Sequence, residues 1–268
     1  MSRKVLAFLK KDFLFESSYK LSFIFNIFGV LISVLSYFFI DKLFGQKIVS
    51  HLEEFGVNYF SYVLLGMAFF SYIGVGLGSF SGRIQSEQMQ GTLEAILLTP
   101  TKISTILFSM ALWNLIFATF DMAIYILLGI FLFKINFANL NLLSTTVILI
   151  LTITSFSSLG ILSASFIMVF KRGNPVGWVI NTMEGLLGGV YFPITILPVW
   201  LQFCAKFFPI TYAIRAIELA VYRGYSLTQL AKEIGFLLAF SLLLLPLSLA
   251  LFQYALKRAK INGSLMQY

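Results

Sequence analysis

The chain has 268 residues, of which 59% are hydrophobic, 17% aromatic and only 11% charged. An average soluble domain has about 25% charged residues, so this composition excludes an ordinary soluble fold and predicts an all-α polytopic membrane protein. The formal net charge of +8 does not indicate nucleic-acid binding, because the basic residues cluster at the ends of apolar segments, where they set topology and meet anionic lipid head groups.

Residues 3–20 mix lysines and an arginine with apolar side chains. This pattern predicts a basic amphipathic helix that lies on the membrane surface, and the alternative is a frayed, positively charged tail. The apolar run is too short and too charged for a cleaved signal peptide, so we expect the protein to be inserted uncleaved.

Six apolar segments are long enough to be predicted as membrane-spanning helices. They cover residues 21–40, 57–80, 103–133, 142–170, 175–197 and 234–256. The second segment runs into Gly74, Gly78 and Gly82, a spacing that favours close approach of another helix. The fourth is rich in serine and threonine, which we expect to hydrogen-bond between helices. Residues 195–225 are interrupted by prolines and predict short re-entrant or outer-surface helices.

Between the second and third predicted spans, residues 83–100 are less apolar and amphipathic. One helical face carries Met89, Leu93, Ile96 and Leu97. The segment therefore predicts a short helix at the membrane face, within reach of a soluble partner. From the sequence, this apolar face fits either the membrane domain or that partner.

The distribution of basic residues predicts the orientation of the chain. With both termini on the cytoplasmic side, 12 of the 19 lysines and arginines fall on that side and 7 on the other. The positive-inside rule therefore favours a cytoplasmic N-terminus and C-terminus. This places residues 83–100 in the cytoplasm.

The sequence lacks the motifs of several enzyme classes. It has no G-x-x-x-x-G-K-[ST], no H-E-x-x-H and no G-x-S-x-G pattern, which argues against ATP binding through a P-loop and against a membrane hydrolase. The single cysteine, Cys204, and the single histidine, His51, exclude an internal disulfide framework and a cysteine- or histidine-cluster metal site.

Two acidic residues, Asp121 and Glu184, fall inside predicted spans. A charged group at the bilayer centre costs about 2.5–3.5 kcal/mol on insertion scales, so each should face protein or water. For Asp121 we favour a hydrogen-bonded helix contact, with Asn114 two turns away on the same face. For Glu184 a polar point on a substrate path and a hydrogen-bonded contact remain equally open. A secondary transporter or channel, the alternative function, would need charge pairs or inverted repeats, which we do not find.

Three features together resemble the ABC-2 type permease family. They are the six predicted spans, the segment 87–100 (EQMQGTLEAILLTP) after the second span, and the proline-interrupted segment 188–213 (GGVYFP…LPVWL…PITYA) before the last. The resemblance covers essentially the whole chain, and it identifies a family without identifying a substrate.

The resemblance implies the membrane-spanning permease subunit of an ATP-binding cassette (ABC) exporter, working as two permease subunits, identical or different, with two P-loop ATP-binding subunits. Residues 83–100 then correspond to the coupling helix and residues 3–20 to the interface helix. The implied contacts with the ATPase are Glu87, Gly91, Thr92, Leu93 and Glu94.

The family's second and fifth spans line the translocation path, so the implied path residues are Glu184, Gly188 and Tyr191. The chain itself is expected to bind no cofactor and to catalyse no reaction, because ATP and magnesium bind in the partner subunit. The expected cargo is amphipathic or lipid-like, such as a drug, a lipid or a lipid-linked glycan. The expected location is a bacterial or archaeal cell membrane.

Overall fold

A computed structural model describes residues 2–18, 20–44, 49–92, 95–96, 99, 101, 103–170 and 175–261, and all regular structure in this part of the chain is helical. The α-helices are α1 Ser2–Ser18, α2 Lys20–Phe44, α3 Tyr59–Met89, α4 Ile103–Phe133, α5 Leu142–Phe170, α6 Pro175–Leu187, α7 Val199–Ala205, α8 Pro209–Tyr222 and α9 Ala231–Ile261. Short 3₁₀ turns occupy Val49–His51 and Ile194–Ile196.

Within the described residues, five helices are long and apolar enough to cross a membrane. Their apolar parts are Ile24–Phe44, Tyr59–Gly82, Leu115–Phe133, Leu142–Val169 and Ala231–Ala259. These segments fall within the predicted first, second, third, fourth and sixth spans or extend them by a few residues. A multi-pass helical architecture therefore follows from the structure as it did from the sequence.

The predicted fifth span, residues 175–197, is not one spanning helix. It is helical only over the 13 residues of α6, Pro175–Leu187, which rise about 20 Å, less than the ~30 Å hydrocarbon core of a bilayer. Gly189 has a φ of +82°, a left-handed conformation that ends helices and that glycine adopts without strain. By helix length, the described residues therefore contain five candidate spans and not the six that were predicted.

Helix α3 lies at the centre of the bundle, with α4 and α5 packed against it and α9 packed on α5. Helices α3 and α5 approach each other closely at Gly160, where an added Cβ would lie 2.7 Å from the carbonyl oxygen of Leu77. Between α5 and α9, the hydroxyls of Ser155 and Ser241 hydrogen-bond at 2.7 Å. This contact confirms that the fourth predicted span uses serine between helices.

The close contact of α3 with α5 does not run through the predicted glycines Gly74, Gly78 and Gly82. Within this chain, a Cβ added at any of the three would lie in open space. The contact with α5 runs through Gly76, whose added Cβ would lie 3.0 Å from Cδ1 of Ile153. Residues two apart on a helix point in directions about 200° apart, so the predicted glycines lie on nearly the opposite side of α3.

The proline-interrupted segment lies at the end of the bundle where α3 begins. Helix α8 is bound there to the loop before α3: Arg215 forms a 2.6 Å ion pair with Glu54, and the Arg223 guanidinium donates to the carbonyl oxygens of Glu53 and Glu54 at 2.6 and 3.0 Å. Helices α7 and α8 have 7 and 14 residues, so neither crosses a bilayer.

Candidate coupling site

The predicted helix over residues 83–100 is divided in two by a turn. Helix α3 continues to Met89, so residues 83–89 extend the second membrane helix. The chain then turns at Gln90 and Gly91, where Gly91 has a φ of +69°, the left-handed region that glycine adopts at helix C-termini. Of the predicted contact residues, Leu93 and Glu94 lie outside the described residues.

The Glu87 side chain is buried inside the chain's own structure, with 4% of the residue exposed. The ammonium group of Lys11, on α1, lies 2.6 Å from Oε1 of Glu87. The Thr92 hydroxyl donates to the other carboxylate oxygen, and the Thr92 N–H donates to the Glu87 carbonyl at 2.9 Å. Glu87 therefore holds the Gly91 turn closed and attaches it to α1.

Helix α1 is attached to this region at two further points. The Lys4 ammonium donates to the Thr101 hydroxyl at 3.4 Å. The ring of Phe13 packs edge-on against Trp113 of α4, with a centroid separation of 6.4 Å. These contacts join α1, the end of α3 and the start of α4 into one connected unit.

The apolar face of the predicted amphipathic helix is shared between two environments. Met89 is 67% exposed, and Gln90, Gly91 and Thr92 are exposed beside it. Ile96, in contrast, packs against a buried cluster formed by the same ends of α3, α4, α5 and α9. Among the described residues of this segment, the turn Met89–Thr92 is continuously exposed, and it is called the coupling turn below.

The structure does not bring the three predicted path residues onto one open surface. Glu184 is fully buried, and neither carboxylate oxygen has a hydrogen-bond partner among the described residues. Gly188 packs closely against α8, where an added Cβ would lie 2.6 Å from Cγ2 of Ile210. Tyr191 stacks on Tyr37 of α2 with a centroid distance of 5.6 Å.

Asp121 is a hydrogen-bonded helix contact, as the sequence favoured. It is 6% exposed, accepts a hydrogen bond from the Ser71 hydroxyl of α3, and lies 3.5 Å from the Asn26 amide nitrogen of α2. The expected neighbour Asn114 has a side chain outside the described set. Asp121 thus links three helices through polar contacts.

Sequence reasoning missed the burial of Glu218 on α8. The residue is fully buried, and both carboxylate oxygens lack a hydrogen-bond partner among the described residues. Burial raises the pKa of this carboxyl well above its usual range. A signal was present in the sequence, because Glu218 is four residues from Ile214 and eight from Ile210, which places it on the apolar side of an amphipathic helix.

Five long apolar helices and an exposed turn that is held by the Lys11–Glu87 contact define a polytopic helical membrane protein. The sequence matches the ABC-2 type transporter family over residues 3–222. The chain therefore belongs to the ABC-2 type transporter family, and it is a multi-pass membrane protein of the permease type that works with an ATP-binding cassette subunit. No curated protein matches the sequence.

Proposed function

We propose that this chain is the permease subunit of an ABC exporter and forms the path for an amphipathic or lipid-like molecule, such as a drug, a lipid or a lipid-linked glycan. The observation that carries the proposal is the buried contact of Glu87 with Lys11 and Thr92, which supports an exposed turn between two membrane helices. A turn braced in this way transmits force from a soluble partner better than a free linker would.

The transmission mechanism follows from the contacts of α1. Closure of the partner ATPase dimer pushes on the coupling turn. Because Glu87 joins that turn to Lys11, and Phe13 joins α1 to Trp113 of α4, α3 and α4 move together as a near-rigid unit. ATP and Mg²⁺ bind and react in the partner, and this chain makes or breaks no covalent bond.

Within this proposal the predicted contact residues take different roles. Glu87 is a positioning residue, since its carboxylate is occupied inside the chain. Gly91 and Thr92 are exposed and present the turn to the ATPase, and Leu93 and Glu94 continue the proposed contact surface along the chain.

The proposed orientation has the coupling turn and both termini in the cytoplasm of a bacterial or archaeal cell. The basic helix α1 lies at the same end of the bundle as the turn, as the Lys4–Thr101 and Lys11–Glu87 contacts require. The proximity of these lysines to the turn fits the positive-inside rule. A second permease subunit, identical or different, completes the path.

We assign Glu184 to the path because its buried carboxyl has no hydrogen-bond partner among the described residues, and such burial lowers stability unless a second conformation exposes the group or gives it a partner. Gly188 and Tyr191 border the same bend of the chain. If Glu184→Gln leaves the pH dependence of ATPase activity of the assembled transporter unchanged, Glu184 has no such role.

The experiment that tests the function is co-expression with an ATP-binding cassette ATPase from the same organism, followed by purification through a tag on the permease. We expect the two proteins to copurify and the permease to change the rate of ATP hydrolysis. Glu87→Arg combined with Glu94→Arg should abolish assembly or stimulation. Intact assembly and activity in that variant would show that the coupling assignment is wrong.

A further inference from the structure

A cavity of about 440 Å³ opens at the end of the bundle opposite the coupling turn. Its walls come from the loop before α3, the first turns of α3, the bend after α6, and helices α7, α8 and α9. The volume lies within the range of about 300–1,000 Å³ that is typical of small-molecule sites. The cavity is separated from Glu87 by most of the length of α3.

Basic side chains outnumber acidic ones around this cavity. Lys206, Arg215 and Lys232 line it, against a single acidic residue, Glu54. Arg215 is neutralised by ion pairs with Glu54 at 2.6 Å and with the buried Glu233 at 3.4 Å. The ammonium groups of Lys206 and Lys232 have no ion pair or hydrogen bond within the described part of the chain. Lys206 and Lys232 therefore face one cavity without ion pairs of their own among the described residues, and together with Arg215, Glu54 and Glu233 they give it a formal charge of +1.

These lysines are not explained by membrane topology. In the proposed orientation they lie on the outer side, where the positive-inside rule gives basic residues no role. These two lysines also do not hold the neighbouring elements together. Arg215 and Arg223 make that connection, because they bind α8 and its C-terminus to the loop before α3. An anion bound from outside would neutralise the ammonium groups of both Lys206 and Lys232.

One part of the remaining cavity wall is apolar and aromatic, with Phe55, Tyr62, Ile194 and Ile214, and Phe55 and Tyr62 pack together with their ring centroids 5.2 Å apart. The rest of the wall includes the polar side chains His51, Thr195, Gln202 and Thr211. An inorganic ion alone would contact only the basic and polar part, whereas an anionic head group that carries an apolar portion would contact both parts of the site.

We propose that this cavity binds an anionic phosphate or carboxylate group, with Lys206 and Lys232 as its ligands, and that the apolar wall accepts the non-polar part of an amphipathic molecule that carries the group. Binding at this site does not depend on the partner ATPase. Its failure and the failure of the proposed export function are therefore distinguishable.

The test uses the full-length chain in nanodiscs and two probes. The first is phosphatidylglycerol, compared with discs of phosphatidylcholine alone, and the second is inorganic phosphate added to the phosphatidylcholine discs at constant ionic strength. The readout is the thermal unfolding midpoint as a function of probe concentration. We expect at least one probe to raise the midpoint of the wild type, and Lys206→Gln combined with Lys232→Gln to weaken apparent binding by about tenfold or more, since each substitution removes a charge-assisted hydrogen bond to the anion.

A matched control is Lys42→Gln combined with Lys134→Gln, which removes the same charge at the same end of the bundle but outside the cavity. This variant should respond to the probe as the wild type does. A response to phosphatidylglycerol alone identifies a lipid head group as the source of the anion, and a response to phosphate identifies a free ion as sufficient. Equal responses of the two double variants, or no response of the wild type to either probe, would overturn the proposal.

Discussion

The Lys11 ammonium group lies 2.6 Å from the Glu87 carboxylate although the two residues are 76 positions apart in the sequence. This ion pair joins the N-terminal amphipathic helix to the turn between the second and third membrane helices. The Glu87 side chain is 5% exposed and the Lys11 side chain is 47% exposed. Solvent can therefore hydrate the ammonium group if the pair breaks, whereas the buried carboxylate would lose a stabilising charge.

The first prediction concerns this asymmetry. Lys11→Gln should destabilise the protein more than Glu87→Gln, because the first removes a cation 2.6 Å from a buried carboxylate, whereas a glutamine at position 87 still accepts from Thr92. A double-mutant cycle in detergent should give a coupling energy of about 1 kcal/mol, between the values for exposed and buried ion pairs.

Lys10→Gln is the matched control, since Lys10 is exposed on the same helix and precedes Lys11 directly. It should change neither the unfolding midpoint nor ATPase stimulation. A coupling energy of zero, or equal effects at Lys10 and Lys11, would mean that the contact does not brace the turn.

The second prediction concerns the backbone of the coupling turn. Gly91→Ala should destabilise the turn by about 1 kcal/mol, because φ is +69° there and an L-residue is strained in that region. The added Cβ itself has open space around it, so the effect is conformational. Gly82→Ala on α3 also has open space and should be neutral or stabilising. Equal ATPase activity of the two assembled variants would contradict a role for the turn geometry.

The third prediction distinguishes the observed helix contact from the one the sequence suggested. Gly160→Ala should destabilise the α3–α5 contact by about 1–3 kcal/mol, because the new Cβ would lie 2.7 and 2.8 Å from the carbonyl oxygens of Leu77 and Gly76. Gly78→Ala meets nothing within 4 Å and should leave the thermal unfolding midpoint unchanged or raise it. The reverse order of the two midpoints would show that α3 packs through its other face.

The fourth prediction uses the raised pKa of Glu218. Between the ordinary value of 4.5 and the raised value in the folded chain, the unfolded chain loses a proton that the folded chain retains, so stability falls as pH rises. Glu218→Gln removes this penalty and should raise the unfolding midpoint more at pH 8 than at pH 5. The exposed Glu53→Gln should give no such difference, and an equal gain from Glu218→Gln at both pH values would show that the carboxyl is not protonated in the fold.

The long membrane helices were predictable because hydropathy over about 20 residues is a local property of the sequence. Hydropathy does not report backbone conformation, which is why the apolar residues after Gly189 were counted into a fifth span that the positive φ at Gly189 interrupts. The Lys11–Glu87 pair was not predictable, because no periodic pattern relates residues 76 positions apart. The burial of Glu218 could have been predicted from its helical spacing to Ile214 and Ile210.

The central claim is that the coupling turn is where an ATP-binding subunit meets this chain. It is tested most directly by site-specific photo-crosslinking in the assembled complex. The exposed cysteine is first removed as Cys204→Ser, and a photoactivatable maleimide is then attached through Met89→Cys, at a side chain that is 67% exposed. Trp200→Cys on α7, where the side chain is 68% exposed, provides a control at the opposite end of the bundle. We expect a crosslink to the ATP-binding subunit from position 89 and none from position 200. A crosslink from position 200 with none from position 89 would contradict the central claim.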